Sequence, residues 1–134
     1  MALLPWSPIA RGFLTGKYRR GEPPPEGSRF ARGDRRADLH FTDAAFDVLE
    51  VVESIAREKG CTPGQFALAW CARQPGITSP IIGPRTMEQL EENLGALQVE
   101  VTDADRTRID AVSPPGRVIV PYYEARFGPH PFRW

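Results

Sequence analysis

Long apolar runs are missing from this chain, and none approaches the ~20 residues that a transmembrane helix requires. No membrane association is expected. Cysteine is scarce, with Cys61 and Cys71 as the two in 134 residues. Placed on one helix they stand roughly 15 Å apart along its axis, beyond the reach of a disulfide. Both are read as reduced thiols, as in the cytoplasm. Histidine is limited to His40 and His130, so no metal site is expected. Charge of either sign is not in excess, at 17 basic against 17 acidic residues, which removes any bulk attraction to nucleic acid or lipid. P-loop and GxSxG patterns are absent. The opening Met1-Ala2-Leu3-Leu4-Pro5 lacks the charged n-region and the length of a signal peptide, so a cytoplasmic location is expected.

What is present suits one domain spanning residues 1–134, long enough to bury a core. Charge is unevenly spread: Lys17 to Arg36 carries seven basic and three acidic residues, Thr86 to Asp110 seven acidic and two basic. The basic lobe falls in a Pro/Gly/Arg-rich, aperiodic stretch, read as a long loop over residues 17–41. Loops of that length are uncommon in compact domains unless they serve a function. Residues 114–134 hold five of the 14 prolines and five of the 13 aromatic residues, which predicts an irregular, wrapped tail.

Between these lie periodic segments. "FTDAAFDVLEVVESIAREKG" reads as an amphipathic helix with Thr42 as N-cap, Phe46, Leu49, Val52, Ile55 and Ala56 on one face, and Gly60 as terminator. "CTPGQFALAWCARQPG" reads as a second helix, with Thr62 and Gln65 at capping-box spacing and Pro63 in the first turn. Its body from Phe66 to Cys71 is apolar nearly all round and predicts deep burial. Thr86/Gln89 and Thr102/Asp105 repeat the capping spacing ahead of two further helices. "ARGFLTGKY" suits a short helical turn closed by Gly16. "ALLPW" and "ITSPIIG" read as buried strands. Strands alternating with helices predict a parallel α/β sheet. A closed barrel of eight strands needs about 250 residues. The chain is therefore read either as a piece of a larger barrel or as one that completes its sheet with copies of itself.

Two motifs carry chemistry. Gly83-Pro84-Arg85 leads from a predicted strand into a helix whose first turns are acidic. Helix N-termini favour anions, so the acids are understandable and the arginine needs an outside partner. A phosphate forked by Arg85, with Gly83 allowing close approach, is one answer. A surface arginine beside a well-capped helix is the other. Trp6, in "WSPIARGFLTGKY", ends a predicted strand where α/β proteins bind ligands. It is either a core residue or a flat surface for a heteroaromatic ring.

Together, "PWSPIARGFLTGKY" and "ALAWCARQPGITSPIIGPRTMEQLEENLGALQVEVT" resemble the C-terminal half of the aldo-keto reductase family, over nearly the whole chain. These enzymes are (β/α)-barrels that reduce carbonyls with NADPH. The resemblance implies a half TIM-type barrel with parallel strands, completed by self-association, and NADP(H) as cofactor. It places Trp6 on the nicotinamide ring, and Ser7, Pro8, Ile9, Ala10 and Arg11 around the pyrophosphate with Lys17 adding charge. By the same resemblance Arg29 stands where some members have an arginine lying across the dinucleotide. Gly83 and Arg85 fall on the adenosine 2'-phosphate, Gln89 one turn on, and Glu92 and Asn93 on the adenine.

The family's catalytic set of tyrosine, aspartate, lysine and histidine has no counterpart here. No "D-x-x-x-x-Y-G" context exists, and Tyr18, Tyr122, Tyr123, His40 and His130 lie in irregular segments as surface or packing residues. Without a general acid at the carbonyl, hydride transfer lacks its proton source. The readings are thus a reductase represented by its cofactor-binding half, a non-catalytic self-associating half-barrel, or one with a new activity. An apolar first strand and an aromatic tail short of neighbours imply a homo-oligomer.

Overall fold

The computed structural model describes residues 1–32 and 37–120; the expectations for Tyr122, Tyr123, His130 and the rest of the tail beyond Val120 lie outside these residues. In chain order come a 3₁₀ segment Ala10–Thr15, a 3₁₀ turn Phe30–Arg32, then α1 (Ala37–His40), α2 (Asp43–Lys59), α3 (Pro63–Ala72) and α4 (Met87–Leu94). A 3₁₀ turn Gly95–Gln98 and α5 (Asp103–Val112) follow.

The helices begin where the capping signals put them. The Thr42 hydroxyl accepts from the Ala45 N–H, and Gly60 closes α2 in the left-handed region at φ 67°. α3 opens on a complete capping box between Thr62 and Gln65 with Pro63 in its first turn. α5 opens on another, between Thr102 and Asp105.

Two apolar clusters hold these elements together. Ile55 and Phe66 are wholly buried between α2 and α3, joined by Leu68, Val99, Val101 and Ile109. Burying each such large side chain is worth about 1.5–3 kcal/mol. The second cluster is aromatic. Phe13, Tyr18, Phe30 and Phe46 are buried there, with Phe41 packed against them. Phe41 lies 5.1 Å from Phe30 and 5.2 Å from Tyr18 between ring centroids. Through Tyr18, Phe30 and Phe41 this cluster pins the described parts of the stretch expected as a loop, which include the 3₁₀ turn Phe30–Arg32 and α1, to the body of the molecule.

The expected half-barrel does not form. Among the described residues there is no sheet, and the predicted strands meet at two isolated parallel bridges, Leu3 with Ile77 and Trp6 with Ile81. Two backbone bonds join them, from Thr78 N–H to Leu3 O (2.9 Å) and from Ile81 N–H to Pro5 O (2.8 Å). The reason is physical. Pro5, Pro8 and Pro80 have no N–H to donate, and a parallel ladder of two strands is too small to hold itself against water. A parallel sheet also needs both faces covered. Instead Leu3, Leu4, Ile81 and Ile82 are 44, 54, 53 and 38% exposed, so the expected burial of both segments fails as well. The fold is helical.

An ion pair ties the end of α2 to the start of α5. Lys59 Nζ lies 2.8 Å from Asp105 Oδ2, and Asp105 is nearly buried. Burial works against the Asp105 carboxylate, but the Lys59 ammonium and the Thr102 N–H and hydroxyl outweigh it and hold its pKa below the usual range. A depressed carboxylate pKa stabilises the fold above the unfolded value of about 3.9, and that stabilisation is lost as pH falls through the folded value. Asp105→Asn is therefore expected to cost about 1–2 kcal/mol in urea unfolding at pH 7. The gap between wild type and variant should close below about pH 4. A gap that does not change with pH would refute this role.

Candidate functional site

Backbone strain marks the segment after the second bridge. Ser7, Ala10 and Arg11 adopt φ of 59°, 47° and 61°, and Gly12 follows at 91°. For residues with a side chain each such conformation costs about 1–2 kcal/mol. Local bonds maintain it. Ser7 O accepts from the Ala10 N–H at 2.9 Å and Ile9 O from the Gly12 N–H at 2.9 Å. The Ser7 hydroxyl accepts from the Arg11 N–H at 3.1 Å, and the Thr15 hydroxyl donates to Gly12 O at 2.8 Å. Pro8 and Ile9 are half-buried beneath, and Phe13 anchors the turn in the aromatic cluster. Strain of this kind collects where a backbone is shaped for a ligand.

The bridge between Trp6 and Ile81 brings this strained turn beside the approach to α4. Trp6 is 50% exposed, which excludes the core reading and leaves ring surface to solvent. Arg85 is exposed just before the N-cap of α4. Its backbone is fixed by an unforeseen bond. Thr86 Oγ1 accepts from the Gln89 N–H (3.3 Å), but Gln89 Oε1 accepts from the Arg85 N–H (2.8 Å) and not from Thr86. The expected capping box is thus displaced by one residue, and it holds the Arg85 backbone in place.

Lys17, Arg29 and Arg85 share one electrostatic neighbourhood. Partial burial lowers the Lys17 pKa first, and the positive charges of Arg85 and Arg29 lower it further. Arg29 is exposed between Ser28 and Phe30, both buried, which fixes its position in the loop. None of the three forms an ion pair among the described residues. The neighbouring arginines do. Arg19 pairs with Glu53 at 2.8 Å, and Arg20 with Asp43, Asp47 and Glu50 at 2.8, 2.7 and 3.1 Å. Among the described residues the basic lobe therefore divides into Arg19 and Arg20, paired with acids of α2, and Lys17 and Arg29, which repel each other. A multivalent anion turns that repulsion into attraction.

Two residues that position the site were not among the sequence candidates. Gly12 needs its left-handed φ, and a Cβ there would stand 3.1 Å from Lys17 Nζ, so its absence makes room for the ammonium. Gln65 accepts from the Thr62 N–H at 3.0 Å and donates from Nε2 to Glu92 O at 2.9 Å, joining the cap of α3 to α4. The capping-box spacing signalled the first bond and nothing local signalled the second. The Glu92 side chain is exposed and Asn93 is half-buried, both on α4.

Neither the tyrosine nor the histidine among the described residues is exposed. Tyr18 is 1% exposed and His40 0%, both within the aromatic cluster region, so neither presents its polar atom to a solvent-borne carbonyl. Among the described residues no group of three or more His, Cys, Asp or Glu side chains is placed to hold a metal. No helix among them is long and apolar enough to cross a membrane. A cavity of about 420 Å³ lined by Lys59, Cys61, Gln65 and Glu100 includes one of these positioning residues but none of the sequence-predicted ones.

A family model described as the aldo/keto reductase family matches residues 1–114. Over 101 residues the chain is 39% identical to a probable voltage-gated potassium channel subunit beta of Arabidopsis thaliana, covering 74% of this chain and 30% of that protein. A protein of the same name from Oryza sativa subsp. japonica matches at 39% identity over 101 residues, again 74% and 30%. An aldo-keto reductase of Schizosaccharomyces pombe, yakc, named for NADP(+), is 37% identical over 99 residues, 74% of this chain and 29% of its own length. The chain spans under a third of the length of these relatives.

Gly83 separates fold from function. Its φ is outside the left-handed region, and a Cβ there would meet nothing within 4 Å. Gly83→Ala is therefore expected to leave unfolding free energy within about 0.5 kcal/mol of wild type. A larger loss in a urea titration would assign Gly83 to folding.

Proposed function

Because the chain belongs to the aldo/keto reductase family, we propose that it binds NADP(H) along the surface running from Trp6 through Lys17 and Arg29 to Arg85. The observation that carries this is the trio of Lys17, Arg29 and Arg85, none ion-paired among the described residues, in which the two arginines repel Lys17; a phosphate-bearing ligand relieves that repulsion. In this reading Arg85, beside the open backbone of Gly83, takes the 2'-phosphate. The strained turn of Ser7, Pro8, Ile9, Ala10 and Arg11 follows the pyrophosphate, with Lys17 supplying charge and Arg29 lying across it. The exposed face of Trp6 takes the nicotinamide ring, and Gln89, Glu92 and Asn93 lie toward the adenine. When bound, the cofactor supplies a hydride. The residues named here hold and orient it, and among the described residues no exposed tyrosine or histidine stands ready to deliver a proton. The same segment occurs in relatives named as a reductase and as channel subunits. That supports a holding role over the chemical step, with carbonyl reduction as the ancestral activity.

A titration of tryptophan fluorescence with NADPH and NADH in parallel tests this. NADPH is expected to quench saturably and to bind at least about tenfold more tightly than NADH, the equivalent of about 1.4 kcal/mol. Arg85→Ala should erase the difference between the two. No saturable quenching by either nucleotide would sink the proposal. Turnover of a reactive aldehyde by this chain would overturn the holding role.

The exposed strip of Leu3, Leu4, Ile81 and Ile82 supports a second reading, self-association. Such a strip covered by a second copy would remove apolar surface from water on both. Sedimentation velocity at tens of micromolar is expected to show a homo-oligomer, and Leu4→Asp a shift to monomer. A monomeric wild type at that concentration would rule self-association out.

A further inference from the structure

α4 differs from the helices beside it in what it covers. α2 buries six of its residues and α3 five, whereas α4 buries none. Its apolar residues are nevertheless in order. Met87, Leu90, Leu94 and Leu97 follow one another at three, four and three residues, the spacing that sets side chains in a row along one side of a helix. Leu97 belongs to the 3₁₀ turn after α4. Leu94 and Gly95 keep right-handed helical backbone across the junction, at φ −64° and −57°, so the row runs through it. Met87, Leu94 and Leu97 are 64, 49 and 67% exposed, and Leu90 is half-buried. From end to end the row is about 15 Å long, nearly three turns. Single exposed apolar residues are ordinary on a protein surface, but four in one row make an interaction surface.

The charge around the row decides what covers it. From Met87 to Glu100 stand Glu88, Glu91, Glu92 and Glu100, all exposed, and no basic residue. None of the four forms an ion pair among the described residues. On a helical projection Glu91 and Glu88 flank the row on the side of Met87 and Leu94, while uncharged Asn93 and Gln89 lie on the other. The row therefore has one acidic edge. A second copy seated on this face brings four more carboxylates and no cation, so charge opposes it. An anionic lipid surface is repelled for the same reason. A helix with basic residues beside apolar ones satisfies both the row and its edge.

We propose that the row of Met87, Leu90, Leu94 and Leu97 is the docking surface for a basic amphipathic helix of a partner protein. The partner's apolar residues pack along the row, and its lysines or arginines meet Glu88 and Glu91. The row shares α4 with Gln89, Glu92 and Asn93 but uses none of the residues assigned to the nucleotide. It stands whether or not NADP(H) binds.

The probe is a fluorescein-labelled synthetic helix of about 18 residues, with leucine at the first and fourth positions of each heptad and lysine and glutamine elsewhere. Its fluorescence anisotropy is expected to rise and saturate as the full chain is added. The same peptide with glutamate for lysine, and an isomer with its leucines off the heptad, should each bind at least about tenfold more weakly. Leu97→Asp should weaken binding by at least about tenfold too. That variant adds a negative charge beside a basic probe, so its loss reports the apolar contact and not attraction. Glu88→Lys with Glu91→Lys should weaken binding and flatten its dependence on salt. Absence of saturable binding overturns the proposal, as does equal binding of the glutamate peptide or a Leu97→Asp chain that binds as tightly as wild type. A wild-type oligomer in sedimentation velocity that Leu97→Asp disperses and Leu4→Asp does not would assign the row to a second copy and overturn it. Displacement of the peptide by vesicles of phosphatidylcholine and phosphatidylserine would do so in favour of lipid. The peptide comparison in the wild type decides the matter even where a variant does not fold.

Discussion

A helix without a polar face is the constraint on which this molecule is built. α3 buries Gly64 and the run Phe66 to Ala69, while Trp70 and Cys71, expected to be deeply buried, are half-buried, so little of its body can face water without loss. Neighbours must therefore cover most of it. α2 covers one flank with the stripe ending at Ile55 and Ala56, and the 3₁₀ turn Gly95–Gln98 brings Ala96 against another. The 3₁₀ segment Ala10–Thr15 and α4 also pack on it. These last two carry Ala10, Arg11, Gln89, Glu92 and Asn93 of the candidate nucleotide surface. The demand for burial around Phe66 thus sets where the strained turn and Arg85 lie relative to each other.

Polar contacts refine what burial establishes. Gln65 sits at the mouth of α3 and uses both ends of its amide, one on the Thr62 cap and one on Glu92 O. A helix cap thereby becomes a link to α4. Lys59 and Asp105 do the same between α2 and α5. On the outer face of α2, Arg19 and Arg20 are drawn onto a row of acids, which leaves Lys17 in the field of Arg85 and Arg29. The charges that stabilise the fold and those offered to a ligand are sorted by geometry, although they share one stretch of sequence.

The strained backbone of Ser7, Ala10, Arg11 and Gly12 lies next to this positive region, with Gly12 buried and Ala10 packed against the aromatic cluster. Its cost is borne by the bonds around Ser7, Ile9 and Gly12 and by the burial of Phe13. This turn, beside cations that form no ion pair among the described residues and a half-exposed tryptophan, is the surface on which the nucleotide proposal rests. The aromatic cluster that supports it also takes in Tyr18, and His40 against Phe30, and shields both from solvent.

Local rules reached far into this protein. The caps at Thr42, Thr62 and Thr102, the stop at Gly60 and the buried stripe of α2 depend on residues three or four apart, and sequence spacing reports them directly. The family's motifs, too, were legible as patterns around Trp6 and Arg85. Sheet formation was not. Alternating strands and helices suggested a parallel half-barrel, yet a sheet depends on how many strands meet and on which N–H groups remain to pair them. Pro5 and Pro80, with few partners, left single bridges and an exposed apolar strip. Tertiary structure alone decided that Arg85 shares a field with Lys17 and Arg29, and that Gln65 reaches Glu92. It also decided that Gly12 makes room for an ammonium. Each of these joins residues distant in the chain or set by a single dihedral angle, and burial of α3 is what brings them together.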